Sequence, residues 1–156
     1  MAEDRYDRIR KIVAKYPDRR SAVMPALRLV QEAHEGWLPP QALREVADAL
    51  DMAPAEVEAV ATFYDMYNLA PVGQHLVEVC TNLSCALVGA KQVVDAFESE
   101  LGIAPGETSE DGEFTLRLIE CAGGCGYAPV VVVDHWYREP TTPEDVPGLV
   151  EELRGS

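Results

Sequence analysis

Residues 75–85 read HLVEVCTNLSC and residues 114–125 read FTLRLIECAGGC; the fold turns on these two stretches. Each opens as an alternating run. In the first, Leu76, Glu78 and Cys80 fall on one side and Val77 and Val79 on the other, the two-residue period of a β-strand. Each run meets a cysteine where the alternation stops, and a second cysteine follows within a short loop. The spacings are Cys80-x4-Cys85 and Cys121-x3-Cys125, and they use all four cysteines of the chain.

The stretch between the two pairs supplies the connection. Residues 87–101 carry Val88, Val93, Val94, Phe97 and Leu101 at helical spacing, with Gly102 as a stop, and Asp111-Gly112 marks a turn. Two strands joined by a helix in a right-handed crossover run parallel. Their carboxyl ends then emerge on one edge of the sheet, where ligands of α/β sheets generally bind. The two cysteine loops are therefore expected to meet. Downstream, residues 129–133 (PVVVV) predict a buried strand, and Asp134-His135 a turn into a partner strand at 136–138. Thr142 is placed to cap a last helix with Pro143 at its first position and Glu144 and Asp145 in its first turn. The predicted order is β-α-β-β-β-α.

Upstream, the period changes to that of helices. In residues 4–16, Ile9, Ile12, Val13 and Tyr16 share one face; from Ser21 to about His34, Met24, Leu27, Val30 and Ala33 do so, with Gly36 as a stop. Pro39-Pro40 opens a third helix with Leu43, Val46, Ala47 and Leu50, and Pro54 a fourth with Val57, Val60, Ala61 and Tyr64. Four short helices with brief connections predict a small bundle. Pro71 and Gly73 break the pattern, which divides the chain into a helical region at 1–72 and an α/β domain at 73–156. Phe63, Tyr64 and Tyr67 at this junction read as interdomain core, with an anchor for a partner protein as the alternative.

Composition narrows the functional classes. Lys and Arg number 13 against 27 Asp and Glu, a net charge of 13 − 27 = −14, which repels nucleic-acid phosphates and anionic membrane surfaces. No apolar run approaches the roughly eighteen residues that span a bilayer, and the charged start, MAEDRYDRIRKIVAKY, has no secretory h-region. A reducing cytosol is the expected setting, where cysteines more often serve metals or redox chemistry than disulfides.

Four thiolates at one place need a cation or cluster to balance their charge. Zinc and an iron–sulfur cluster both accept such a set. Zinc knuckles commonly use C-x2-C, whereas a C-x4-C pair occurs in plant-type ferredoxins. Gly123, Gly124 and Gly126 allow close backbone approach, so that N–H groups can face cluster sulfurs, and neither loop holds a charge between its cysteines. These features favour a 2Fe–2S cluster on Cys80, Cys85, Cys121 and Cys125 over zinc. Thiol–disulfide exchange would want Cys-x-x-Cys, which neither pair has. His34, His75 and His135 lie outside both pairs and read as surface or turn residues. Tyr127 follows the last cysteine and could shield the site. With no Walker loop and no G-x-G-x-x-G, the chain is not expected to bind NADH by itself, and no residue is assigned a catalytic role.

The runs VCTNLSCALVGA (79–90), LGIAPGETSEDGEFTL (101–116) and ECAGGCGYAPVV (120–131) resemble the thioredoxin-like 2Fe–2S subunits of the NADH dehydrogenase module of respiratory complex I, the bacterial NADH–quinone oxidoreductase. VMPALRLVQEAHEGWLPPQALREVADAL (23–50) and VEAVATFYDMYNLAPVG (57–73) resemble the helical region of the same family. The resemblance implies a thioredoxin-like domain behind a helical region, one 2Fe–2S cluster on the four cysteines, and docking onto the flavin- and NADH-binding subunit, with whose FMN single electrons are exchanged. It implies an electron carrier with no catalysis alone, peripheral on the inner face of the cell membrane; the four thiolates and the net negative charge of the chain disfavour adding an electron and predict a low potential, near that of NADH or below it. Equivalent modules occur in NAD-dependent formate dehydrogenases and bidirectional hydrogenases. A zinc-stapled interaction module is the reading of another class. Two departures stand out: Ala122 where many members have a larger apolar residue, and an end soon after the last helix.

Overall fold

The computed structural model describes residues 2–155. They fall into two compact units, divided between Pro71 and Val72.

The first unit holds α1 (Ala2–Val13), α2 (Val23–Ala33), α3 (Pro40–Leu50) and α4 (Pro54–Phe63). Pro40 and Pro54 each stand first in their helix, where a fixed φ and a missing N–H cost nothing. The first helix stops at Val13, short of the expected residue 16. The second starts at Val23 rather than Ser21, because Arg19–Ala22 forms a 3-10 turn whose opening is capped by Asp18, which accepts the Arg20 N–H (2.9 Å). Gly36 closes α2 with φ +86°, donating its N–H to the Gln31 carbonyl. Ile9, Leu27, Val30, Leu38, Val46, Leu50 and Val57 fill the core.

The segment after α4 is fastened to α2 by polar groups. Gln31 donates its amide to the Met66 carbonyl (3.1 Å) and accepts the Asn68 N–H (2.8 Å); the Asn68 amide donates to the Gly36 carbonyl (2.8 Å). The three aromatics at 63–67 do not share one environment. Phe63 is 78% exposed and Tyr64 is exposed as well. Only Tyr67 is buried, inside the helical unit's own core, where its hydroxyl donates to the Met24 carbonyl (2.9 Å). A buried phenol needs such a partner, and Tyr67 alone of the three has both the apolar surround and the carbonyl.

The second unit is built on a four-stranded sheet in the order β2-β1-β3-β4: β1 (His75–Cys80), β2 (Phe114–Ile119), β3 (Val131–Val133) and β4 (Trp136–Arg138). β1 and β2 run parallel, in register from His75↔Phe114 to Cys80↔Ile119. β3 is antiparallel to β1, and β4 to β3. The crossover is two helices rather than the expected one, α5 (Leu83–Leu87) and α6 (Ala90–Leu101). Gly89, at φ +109°, turns the chain between them and leaves Val88 exposed instead of on the helix's apolar face. The last helix also begins later than expected. Pro143–Asp145 is a 3-10 turn, with the Thr142 N–H and hydroxyl both donating to Asp145 (2.8 Å), and α7 (Val146–Arg154) follows.

The sheet's two faces have different work. Val77, Val79, Leu116, Val131 and Val133 pack with Val93 and Phe97 of α6 and Val150 and Leu153 of α7. The opposite face carries the Glu78–Arg117 ion pair, from cross-strand neighbours, and Cys80. At the amino end of β1, His75 Nδ1 meets Asp134 Oδ2 (2.7 Å), while Asp134 Oδ1 accepts the Leu76 N–H (2.9 Å).

Gly73 shows how closely the strand entrance is packed. A Cβ there would lie 2.7 Å from the Phe114 carbonyl carbon and 2.8 Å from its nitrogen, and the Gly73 N–H donates to Thr115 Oγ1 (2.7 Å). Gly73→Ala is expected to destabilise the second unit by about 1–3 kcal/mol, since backbone atoms must move to admit the methyl. Urea unfolding checks this, and an unchanged midpoint would contradict it.

Candidate metal centre

The parallel register does what the sequence predicted of it. Cys80 ends β1 directly opposite Ile119, two residues before Cys121. The two loops are then stitched together. Thr81 donates its N–H to the Ile119 carbonyl (3.0 Å), and the Asn82 amide donates to the Glu120 carbonyl (2.8 Å). Asn82 also caps α5, accepting the Leu83 N–H (2.8 Å), and α5 carries Cys85 inward. From the other side, Cys80 donates its N–H to the Val130 carbonyl (3.0 Å).

Cys80 is 3% exposed and Cys85 1%, and together with Ala90 and Val130 they form a small apolar cluster against which Ile119, Ala122, Ala128 and Val132 pack. Cys121 and Cys125 lie at the surface. The link between the loops at the sulfur itself is backbone: the Ala122 N–H donates to Cys80 Sγ (3.4 Å). Among the described residues no three His, Cys, Asp or Glu side chains close on one point in the manner of a single-ion site. The structure thus brings two loops together, with two thiols inside and two at the rim.

The electrostatics of the inner pair are unequal. Burial pushes the Cys80 thiol up, but the Ala122 and Asn82 N–H groups and the Cys85 thiol, all donating to its sulfur, outweigh that and hold it below its ordinary value. Burial pushes Cys85 up, and only the backbone contact at Val130 works against the rise, while Cys80 and Cys125 add to it.

The second loop owes its path to glycine. Gly123 has φ +80°, and a Cβ on Gly124 would lie 3.0 Å from Val130 Cγ2. Gly126 has open space around it and no such constraint. Tyr137 of β4 donates its hydroxyl to the Ala122 carbonyl. Tyr127, expected as a shield, is exposed beside Cys125. The histidines sit elsewhere: His34 contacts Arg5 (2.7 Å), His75 is engaged by Asp134, and His135 is in the β3–β4 turn at φ +72°. Sequence reasoning passed over Asn82, the Ala122 N–H and Tyr137. Asn82 had a signal, as an Asn immediately before a short helical run; the other two had none, because each acts through a partner distant in sequence.

The arrangement fits a thiolate-held cluster: four cysteines from two adjoining loops, uncharged residues between the members of each pair, and an N–H already donating to a ligand-type sulfur. Several known proteins are similar to this chain. A subunit of the NADH-quinone oxidoreductase of Mycobacterium bovis is 46% identical over 145 residues, covering 93% of this chain and 57% of the relative. The chain therefore spans little more than half the length of its mycobacterial relatives. Subunit 2 of the Thermus thermophilus enzyme is 41% identical over 155 residues, covering 97% of this chain and 85% of the relative. In three dimensions, a crystal structure of an NAD+-reducing NiFe-hydrogenase superposes with a TM-score of 0.71 at 21% identity, over 83% of this chain and 22% of that one, a likeness of fold. Residues 9–154 match the family described as thioredoxin-like 2Fe–2S ferredoxin, and with relatives above 40% identity over nearly its whole length, the chain belongs to that family.

Proposed function

We propose that Cys80, Cys85, Cys121 and Cys125 hold one 2Fe–2S cluster and that the chain is the electron-transfer component of an NADH:quinone oxidoreductase, exchanging single electrons with the FMN of an NADH-oxidising partner subunit. The observation that carries this is the meeting of the two cysteine loops at the carboxyl ends of β1 and β2, with the Ala122 N–H on Cys80 Sγ. The relatives named as subunits of NADH-quinone oxidoreductase support the choice of host.

The cluster, when bound, supplies one-electron redox chemistry; the chain supplies everything that holds and insulates it. Cys80 and Cys85 present their sulfurs from an apolar pocket that keeps water from the inner side. Cys121 and Cys125 present theirs from the rim, which leaves the outer side open to an approaching donor or acceptor. The chain's −14 charge disfavours adding an electron and suits a low potential, near that of NADH or below it. Among the described residues no helix is long and apolar enough to cross a membrane, so attachment at the inner membrane face would come through the partner subunits.

Anaerobic purification tests the reading. Equimolar iron and acid-labile sulfide are expected, with a red-brown colour and an electron paramagnetic resonance signal that appears only on reduction. Colourless protein loaded with zinc and free of sulfide would replace this reading with a structural zinc module. The host complex is decided by which flavoprotein co-purifies from the native cell: one accompanied by quinone-reductase subunits supports the proposal, and one accompanied by formate dehydrogenase or hydrogenase subunits moves the same module to that enzyme.

A further inference from the structure

Residues 120–124 belong to no helix or strand, so the path of this loop past Cys80 depends on what grips it from outside. Two side chains do so, one on each side of Cys121. Asn82 takes the Glu120 carbonyl, and Tyr137 takes the Ala122 carbonyl. Ala122 is committed through both of its backbone polar groups, its carbonyl to the Tyr137 hydroxyl and its N–H to Cys80 Sγ. Since only the Ala122 φ and ψ lie between those groups, fixing the carbonyl restricts where the N–H can aim.

Tyr137 is itself well founded. Its backbone pairs with Val132 of β3, and the next residue, Arg138, bridges to Glu152 of α7 (2.9 Å). Its side chain is nevertheless 52% exposed, so the residue is not there chiefly to fill a core. An exposed tyrosine that reaches over 15 positions of sequence to a single loop carbonyl is placed to set that loop.

We propose that Tyr137 is a positioning residue for the cluster: it holds Ala122 so that the Ala122 N–H stays on the Cys80 sulfur and thereby raises the reduction potential. The inference rests on the reading that Cys80 is a cluster ligand. A donor aimed at a ligand sulfur stabilises the reduced, more negative state over the oxidised one, and outer contacts that orient such groups tune the centre. Tyr137→Phe keeps the ring and removes only the hydroxyl, freeing the Ala122 peptide to swing and weakening the donation. The midpoint should then move to more negative potential, by about threefold in the reduction equilibrium constant, or roughly 28 mV at about 59 mV per tenfold for one electron.

The test uses the whole 156-residue chain with its cluster, purified without oxygen as wild type, Y137F and W136F. Trp136 is the neighbour on the same strand, 75% exposed, and serves as the control for disturbing β4. Redox titration and the g-values of the reduced signal are the readouts, with iron release to a chelator as a second measurement. Y137F is expected to be shifted negative, altered in g-anisotropy and about threefold faster to lose iron, while W136F matches wild type. A Y137F chain that keeps the fold by circular dichroism but loses its cluster on purification counts for the proposal, since positioning has failed without unfolding. A Y137F midpoint and spectrum identical to wild type overturn it, as does an equal shift in W136F or an unfolded Y137F, each of which makes Tyr137 a residue of the strand and not of the loop. Wild-type chain without iron or sulfide removes instead the reading on which the inference stands.

Discussion

Cys121→Ala is expected to abolish cluster binding while leaving the metal-free chain as stable as wild type. Cys121 is exposed, so trimming it to alanine creates no cavity, and surface substitutions of this kind usually stay within about 0.5 kcal/mol. Its sulfur is nevertheless one of four proposed ligands. Changing the outer partners of metal ligands already costs about 10–100-fold in affinity, and losing a ligand costs more than that. Iron and sulfide per chain should fall at least ~100-fold under limiting iron. The contrast with Cys80→Ala is informative. Cys80 lies inside the apolar cluster with Cys85, Ala90 and Val130, so that variant loses the iron and some stability of the metal-free fold as well. If the cysteines were only small hydrophobes, neither change would touch iron content: Cys80→Ala would cost a modest amount of stability and Cys121→Ala nothing. Elemental analysis beside urea unfolding of the metal-free proteins separates the two outcomes, and an iron-replete Cys121→Ala protein would end the four-ligand proposal.

Phe97→Ala carries the largest expected effect on folding. Phe97 is fully buried where α6 meets the sheet and α7, sharing its cluster with Val77, Val79, Leu116 and Val150. Removing a buried phenyl ring costs about 3–5 kcal/mol through lost transfer energy and the cavity left behind. Against a total domain stability of about 5–15 kcal/mol, this brings the second unit close to unfolding at room temperature. Leu87→Ala is the matched control. Leu87 ends α5 in an exposed position, so its loss should be worth no more than about 0.5 kcal/mol. Urea denaturation of the metal-free chain, followed by far-ultraviolet circular dichroism, measures both without the stabilisation that a bound cluster adds. A loss under about 1 kcal/mol for Phe97→Ala would mean that α6 is not packed on this sheet as described.

Strands and helices were legible wherever a period ran uninterrupted against a clear stop. HLVEVC became β1 residue for residue, and FTLRLIE became β2 without its last residue, Glu120, because a two-residue alternation of side chains suits only a strand with two different faces. Pro40 and Pro54 marked the starts of α3 and α4 for the same local reason. Misreadings arose where a local signal competed with a turn. Val88 continues the apolar spacing of α6, yet Gly89 allows the chain to rotate out of the helix, and a periodic pattern alone carries no sign of that choice. The five-residue run PVVVV yielded only three strand residues: Pro129 has no N–H to give a ladder, and Val130 continues the pairing with β1 only through its carbonyl, which accepts the Cys80 N–H. The aromatics at 63–67 were indistinguishable by type, and only the fold could give Tyr67 a buried carbonyl while leaving Phe63 in water.

For the candidate site, the two cysteine loops and the sheet edge at which these loops meet were legible in the sequence alone. Residue spacing and the handedness of a β-α-β crossover are local and chiral constraints, and they act before any tertiary contact forms. Which cysteines are inside and which at the rim, the Ala122 N–H on the Cys80 sulfur, and the grip of Asn82 and Tyr137 on the second loop belong to the tertiary structure. Those depend on atoms brought together from 15 to about 40 positions apart, and a hydrogen bond to a backbone carbonyl is blind to the side chain of the residue that accepts it, so no pattern of residue types could announce it.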